Sequence, residues 1–262
     1  MSSICDSCHA GCCRVYRLII TIYDFLDLVN HVGLNEAVNG VNFEPSPFNE
    51  NYSSNRNMMF PFIFDDPDRK GKMFSLALKR VESKLFPGTL KCHFLTEGER
   101  EQIVINPELP NHEEHLGSRF YGRCSVYEGR PTMCRTYPIA FNPNLQRSFI
   151  QKREDNPKAA DDKVLKICPK PTVGLADFGI TDQKTMLRKN DEALLNHART
   201  LAHNESVLRW NSQPEREIKN VVPYMLNVGK LAIAEMKPQS NQIQRPLNPE
   251  TNTKVAPPIV SI

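Results

Sequence analysis

The sequence predicts an α+β fold, and three features of its patterning carry that prediction. All eight cysteines fall at or before position 168, and none in the last 94 residues. Alternating apolar positions over 72–83 and again over 89–95 flank the turn Phe86-Pro87-Gly88 and spell a short β-hairpin. Beyond residue 180 the period becomes helical. Leu187, Leu194, Ala198, Leu201 and Leu208 form one stripe, and Ile218, Val222, Met225, Ala232 and Met236 form another. The implied organisation is a small irregular cysteine domain over 1–170 and a helical extension packing on it over 171–236. Residues 237–262, rich in Pro, Asn and Gln, read as a disordered tail.

Composition sets the outer limits. A chain of 262 residues with 40% hydrophobic and 24% charged side chains is that of an ordinary globular protein. Residues 169–262 hold 12 Lys/Arg against 9 Asp/Glu, which accounts for the whole net charge of +3. The remaining 21 of each sign in 1–168 cancel, so no basic surface for nucleic acid is expected. No apolar run approaches the length of a membrane span, and the first residues lack a secretory signal. The expected location is cytoplasmic, where thiols stay reduced.

Taken in order, Val15 to Ile20 is β-branched and aromatic enough for a short strand. Thr21 with Asp24 three residues on is a capping box, opening a helix that runs to about His31 and stops at Gly33. Tyr23, Leu26, Leu28 and Val29 form its apolar face. Residues 34–61 read as a long loop. The hairpin follows, with Cys92 on its returning strand, and residues 96–117 read as a polar excursion. Pro131 should open a helical turn that carries Cys134. A helix spans 182–210, and a second spans 215–236, with Pro223 requiring a kink or a late start.

The chemistry concentrates in the thiols. Cys5, Cys8, Cys12 and Cys13 crowd nine positions, a density that packing never requires. In a reducing compartment such crowding points to a metal more than to disulfides. Thiolates suit zinc or iron, the latter as an iron–sulfur centre such as a 4Fe-4S cluster. Cys5-x-x-Cys8 lets one tight turn aim two sulfurs at one ion. Neighbouring Cys12 and Cys13 on an extended segment would point apart and serve two metals or two sides of one cluster. Cys92, Cys124, Cys134 and Cys168 would complete the set, giving a metal-stapled domain. Tyr127, Arg130 and Arg135 surround the thiols of the third block and are the expected supporting residues. His9 and His93 are read as neighbours of thiols without a ligand role, and His112 and His115 do not match a zinc-protease spacing.

The run Cys5-x2-Cys8-x3-Cys12-Cys13, then Cys92-x-Phe94-Leu95, then Cys124-x2-Tyr127-x2-Arg130-Pro131-x2-Cys134-Arg135-x-Tyr137-Pro138, then Cys168, resembles the YkgJ-like cysteine-cluster family. That resemblance covers residues 4–168 and implies a zinc- or iron-chelating domain with eight cysteine ligands. The first block here is one residue longer than the commoner form, and residues 96–122 are a long insert. A branch with the same cysteine domain includes flagellin lysine N-methylases, which implies a protein-modifying iron–sulfur enzyme as an alternative. No glycine-rich nucleotide loop or radical-type cysteine motif accompanies it. A third reading is an interaction module in which the metal staples the fold and the C-terminal helices bind a protein partner.

Overall fold

The computed structural model describes residues 12–15, 17–46, 57–99, 120–137, 139–150, 180 and 182–236. The fold is α+β, with antiparallel strands in the first part of the chain and two long helices at the end. The residues expected to form a tail, 237–262, lie outside the described set, as do Cys5, Cys8, His9, His112, His115 and Cys168.

Cys12–Val15 forms a single helical turn, α1. The strand expected over 15–20 reduces to one bridge, Ile19 to Ala77, flanked by Ile20 N–H donating to Leu76 O at 2.9 Å. Thr21 caps helix α2, Ile22–Val32, through the expected capping box with Asp24, and Gly33 ends it at φ 83°. That left-handed value is the backbone region where glycine avoids a Cβ penalty. The buried residues of α2 are Ile22, Asp24, Phe25 and Leu28, so a carboxylate shares the inward face.

Residues 34–61 are not one loop. Helix α3, Leu34–Asn39, and strand β1, Val41–Pro45, occupy its first part. Asn42 and Glu44 alternate with Val41 and Phe43 here, and that short period was hidden among Asn and Pro. Strands β2, Phe62–Ile63, and β3, Met73–Leu78, complete a three-stranded antiparallel sheet in the order β1-β3-β2. Phe43 stands opposite Leu76 and Phe62 opposite Phe74. The expected hairpin is β4, Arg80–Glu82, with β5, Leu90–Cys92, and pairs Arg80 with Cys92. The polar excursion begins as strand β6, Leu95–Glu99, paired with β7, Phe120–Cys124. Helix α4, Thr132–Thr136, carries Cys134 directly after Pro131, and β8, Ile139–Asn142, pairs with β9, Arg147–Ile150.

Helices α5, Gln183–Asn211, and α6, Ile218–Met236, close the chain. Helix α6 starts at Ile218 and runs through Pro223, which sits in its second turn and leaves the carbonyl of Lys219 without its i+4 donor. Both helices enter the main core. Val207, Trp210, Val221 and Met225 are buried together with Ile22, Phe25, Phe62, Phe64 and Leu76. Phe43 meets Phe62 and Phe64 edge-on at 5.2 and 5.1 Å, and Trp210 meets the same two rings at 6.4 and 6.0 Å. Edge-to-face contacts at such separations add about 1 kcal/mol each beyond area burial.

Most of the stripe expected to pack α5 faces outward instead, while its last member, Leu208, packs against the core. Leu187, Leu194 and Leu201 are 54%, 46% and 38% exposed, whereas Thr200, His203, Asn204, Ser206, Val207 and Trp210 are buried. The polar face has a backbone to satisfy. Asn204 accepts from Phe60 N–H at 2.8 Å and donates to Met58 O at 2.8 Å. Asn211 accepts from Ile63 N–H at 2.9 Å and donates to Pro61 O, and Trp210 Nε1–H donates to Ile63 O at 3.0 Å. The two asparagine amides mimic a strand along the outer edge of β2, so a helix does the work of the missing ladder.

Candidate metal centre

Of the eight predicted ligands, Cys13, Cys92, Cys124 and Cys134 have described side chains, and all four are partly buried. Cys12 has a described backbone within α1. Residues 12–15 form a helical turn where an extended segment was expected.

Two of the thiol-bearing segments are in contact, and a third follows through a strand pair. Turn α1 packs on β5, which ends at Cys92. Strand β6 begins three residues after Cys92, and its Leu95 stands opposite Cys124. Ser125 fastens that junction, its N–H and Oγ donating to Phe94 O at 2.8 and 3.0 Å. Cys92 and Cys124 both pack against the edge of the main core.

Two arginines hold the N-terminal segment there. Arg80, the register partner of Cys92, donates to the backbone carbonyls of Arg14 and, at 3.1 Å, Leu90. Burial lowers its guanidinium pKa, and the neighbouring Cys92 partly offsets that shift. Arg14, only 1% exposed, pairs with Glu97, donates to Ser83 Oγ at 3.0 Å and lies 4.6 Å from the Phe86 ring centroid. Burial alone would raise the Glu97 carboxyl, but hydrogen bonds from Ser83 and Arg14 and the charges of Arg14 and Lys91 hold it below its usual range. A buried arginine stripped of such a partner is costly, so this pair fixes the residue after Cys13 in place. Sequence reading missed it, because Glu97 sits in what looked like a polar excursion.

Cys134 reaches the structure by another route. Its helix α4 is anchored at Thr132, whose N–H and Oγ1 donate to Asp24 Oδ1 at 2.8 and 2.6 Å. Asp24 Oδ2 receives Thr21 N–H and Oγ1 at 3.0 and 2.8 Å. Arg199 of α5 bonds Asp27 at 2.6 Å and Thr132 Oγ1 at 2.9 Å. The capping-box aspartate therefore latches three segments together. Gly129 lies so close to α2 that a Cβ there would meet the His31 side chain at 2.6 Å, which reserves that position for glycine. Arg130 lies over the Tyr127 ring at 3.9 Å, and Arg135 reaches Asp27 at 4.0 Å. His93 contacts Glu36 at 2.9 Å.

Among the described residues no group of three His, Cys, Asp or Glu side chains is arranged to hold a metal ion. A centre would draw on Cys13, Cys92, Cys124 and Cys134 together with Cys5, Cys8, Cys12 and Cys168, and the all-thiolate chemistry of that set suits zinc or iron. Among the described residues no helix is long and apolar enough to cross a membrane. The fold defines an α+β protein in which buried Arg14 and partly buried Arg80 fasten the segments bearing Cys13 and Cys92. No family model, curated protein or solved structure matches the chain.

Proposed function

We propose that this is a metal-binding protein whose eight cysteines hold zinc or an iron–sulfur centre. The observation that supports it best is the fastening of α1 beside the Cys92 strand by Arg14, which is buried on Glu97, and by Arg80, which donates to the Arg14 carbonyl, because these directed contacts hold Cys13 and Cys92 on neighbouring segments. The resemblance of the cysteine pattern to the YkgJ-like family supports the same reading. Tyr127, Arg130 and Arg135 would flank the Cys124–Cys134 part of the set.

The test is elemental analysis with a visible spectrum on anaerobically purified protein. Bound iron and sulfide with absorption near 400 nm identify an iron–sulfur centre, and a colourless protein with stoichiometric zinc identifies the other form. Cys12→Ser, Cys13→Ser and Cys92→Ser should each lower metal content, since a hydroxyl does not replace a thiolate ligand. Unchanged stoichiometry in all three would overturn the reading.

A protein partner on the C-terminal helices draws support from the outward leucines of α5, spaced by seven residues at 187, 194 and 201. Deleting those helices cannot test it, because they supply Trp210 and Met225 to the core. Leu187→Gln and Leu201→Gln keep the fold and remove the surface, so an unchanged partner interaction in that double variant would end this reading.

A further inference from the structure

Helix α5 presents a stripe that neither the core nor the thiols use. Leu187, Leu194, Leu195 and Leu201 are 54%, 46%, 43% and 38% exposed, and exposed Ala198 lies among them. At about 100° per residue these five positions fall within an arc of about 120°, so they form one contiguous row. Beside Leu194 the apolar ground widens into an open depression lined by Phe141, Pro143 and His197. Single surface leucines need no explanation, but a row of them does.

The charges along the same row carry a pattern. Exposed Lys184 and Arg188 stand toward its N-terminal end, and exposed Glu205 stands toward its C-terminal end. Lys184 precedes Leu194 by as many residues as Glu205 follows Leu195, so the row has a midpoint between the two leucines. Turned end over end about that midpoint, the row complements itself. Leu194 comes opposite Leu195, Leu187 comes beside Leu201, Asp191 faces the small Ala198, and Lys184 faces Glu205. A parallel copy would instead set Lys184 against Lys184 and Glu205 against Glu205, two like-charge contacts.

We propose that the occupant of this row is a second copy of the chain, with α5 packed antiparallel on α5 about a two-fold axis between Leu194 and Leu195. The proposal rests on the reading of the outward leucines as a docking surface and names what docks there. An isologous two-fold contact requires one patch that matches itself, and each cross-axis pair then occurs twice. From Lys184 to Glu205 the row is about 30 Å long and one helix wide, so the buried area stays below about 1,200 Å2 in total. Asp191 loses solvation in the seam, which weakens the pairing further. The dimer is accordingly one of micromolar affinity.

The experiment is sedimentation velocity of the full chain at low salt, from about 1 to about 200 μM, where a monomer–dimer shift is expected. Leu187→Gln combined with Leu201→Gln should weaken the dimer by about tenfold or more. Lys184→Glu and Glu205→Lys should each weaken it about fivefold, because either one places two like-charge contacts across the axis. Mixing those two variants should restore the dimer, as should joining both substitutions in one chain. Leu231→Gln, at a comparably exposed leucine of α6, should leave it unchanged. A chain that stays monomeric, with the thermal midpoint of the leucine variant unaltered, overturns the second copy and leaves the docking surface to a different protein. A dimer indifferent to the leucine substitutions, or charge variants that stay weak when mixed, overturns the proposal by placing the contact elsewhere. A midpoint lowered by more than about 5 °C in the leucine variant at the lowest concentration makes the leucines part of the fold, and the docking reading then falls together with the proposal.

Discussion

Around Trp210 the chain is held by packing: Phe62, Phe64 and Tyr224 crowd the indole, and Val207 and Met225 are fully buried in the same core. Around Cys13 and Cys92 it is held by charge, with Arg14 on Glu97 and Arg80 on two backbone carbonyls. The first arrangement is non-directional and built from residues between 20 and 225, so it survives whatever the thiols do. The second depends on a few directed bonds and fixes geometry at low apolar content. The boundary between core and rim therefore runs across the fold and not between the N-terminal and C-terminal parts of the sequence.

The sharpest way to break the comparison is at the indole. Trp210→Ala should cost about 4 kcal/mol, from lost burial, the cavity left behind and the unpaired Ile63 carbonyl. Denaturant unfolding measures it, and a loss under about 1.5 kcal/mol would mean that α5 is peripheral to the core. Asp24→Ala comes next, at about 3 kcal/mol, because it strands two buried threonines and weakens the hold on Arg199. This latch joins core to rim, so proteolysis of the α4 segment should accelerate in that variant more than cleavage within α6. Equal acceleration would show that Asp24 serves the core alone.

A pH titration sharpens the same contrast. His203, 1% exposed, accepts from Ile22 N–H at 3.1 Å through Nδ1, and its Nε2 faces Phe60 O. Burial pushes its pKa down to about 4, against the bond to Phe60 and the charge of Asp24, which favour the cation. The folded state thus binds fewer protons than the unfolded state between pH 6.5 and about 4. Stability is complete above 6.5 and falls as pH drops through that window, by something on the order of 3 kcal/mol. Asp65, held low by hydrogen bonds from Arg216, and Asp182, held low by Thr185, begin to matter only near and below the ordinary carboxylate range. His203→Gln should flatten the stability profile between pH 6.5 and 5, and parallel profiles would remove histidine from the account.

Much of this was legible in the residues. The Thr21 capping box, the Gly33 stop, the hairpin bearing Cys92 and the Pro131 start of the Cys134 helix are all local signals, decided within a few positions of chain. What the sequence hid is non-local. The Arg14–Glu97 pair joins residues 83 positions apart, and neither neighbourhood marks it. Strand β6 was obscured because Leu95 is the one buried position of its pattern, the rest being polar or glycine. Strand β1 was lost among loop-forming residues.

In helix α5 Leu187, Leu194 and Leu201 lie outward while Leu208 packs on the core, and the smallest expected effect tests that arrangement most directly. Hydrophobic periodicity assigns the inward face to the leucines, but a helix that must satisfy the edge of β2 needs amides and an imidazole there. His203, Asn204, Trp210 and Asn211 fall at spacings of one, six and one, which places them on a single face as well as the leucines fall on theirs. Leu194 borders an open surface depression lined also by Phe141, Asn190 and His197, and 46% of it meets solvent. Leu194→Gln should accordingly change unfolding free energy by less than about 0.5 kcal/mol, as surface substitutions do. A loss beyond about 1.5 kcal/mol would return the leucines to a packing role and make the polar face incidental. The neutral result would establish that α5 is anchored by its hydrogen-bonding side, leaving the leucines to another surface.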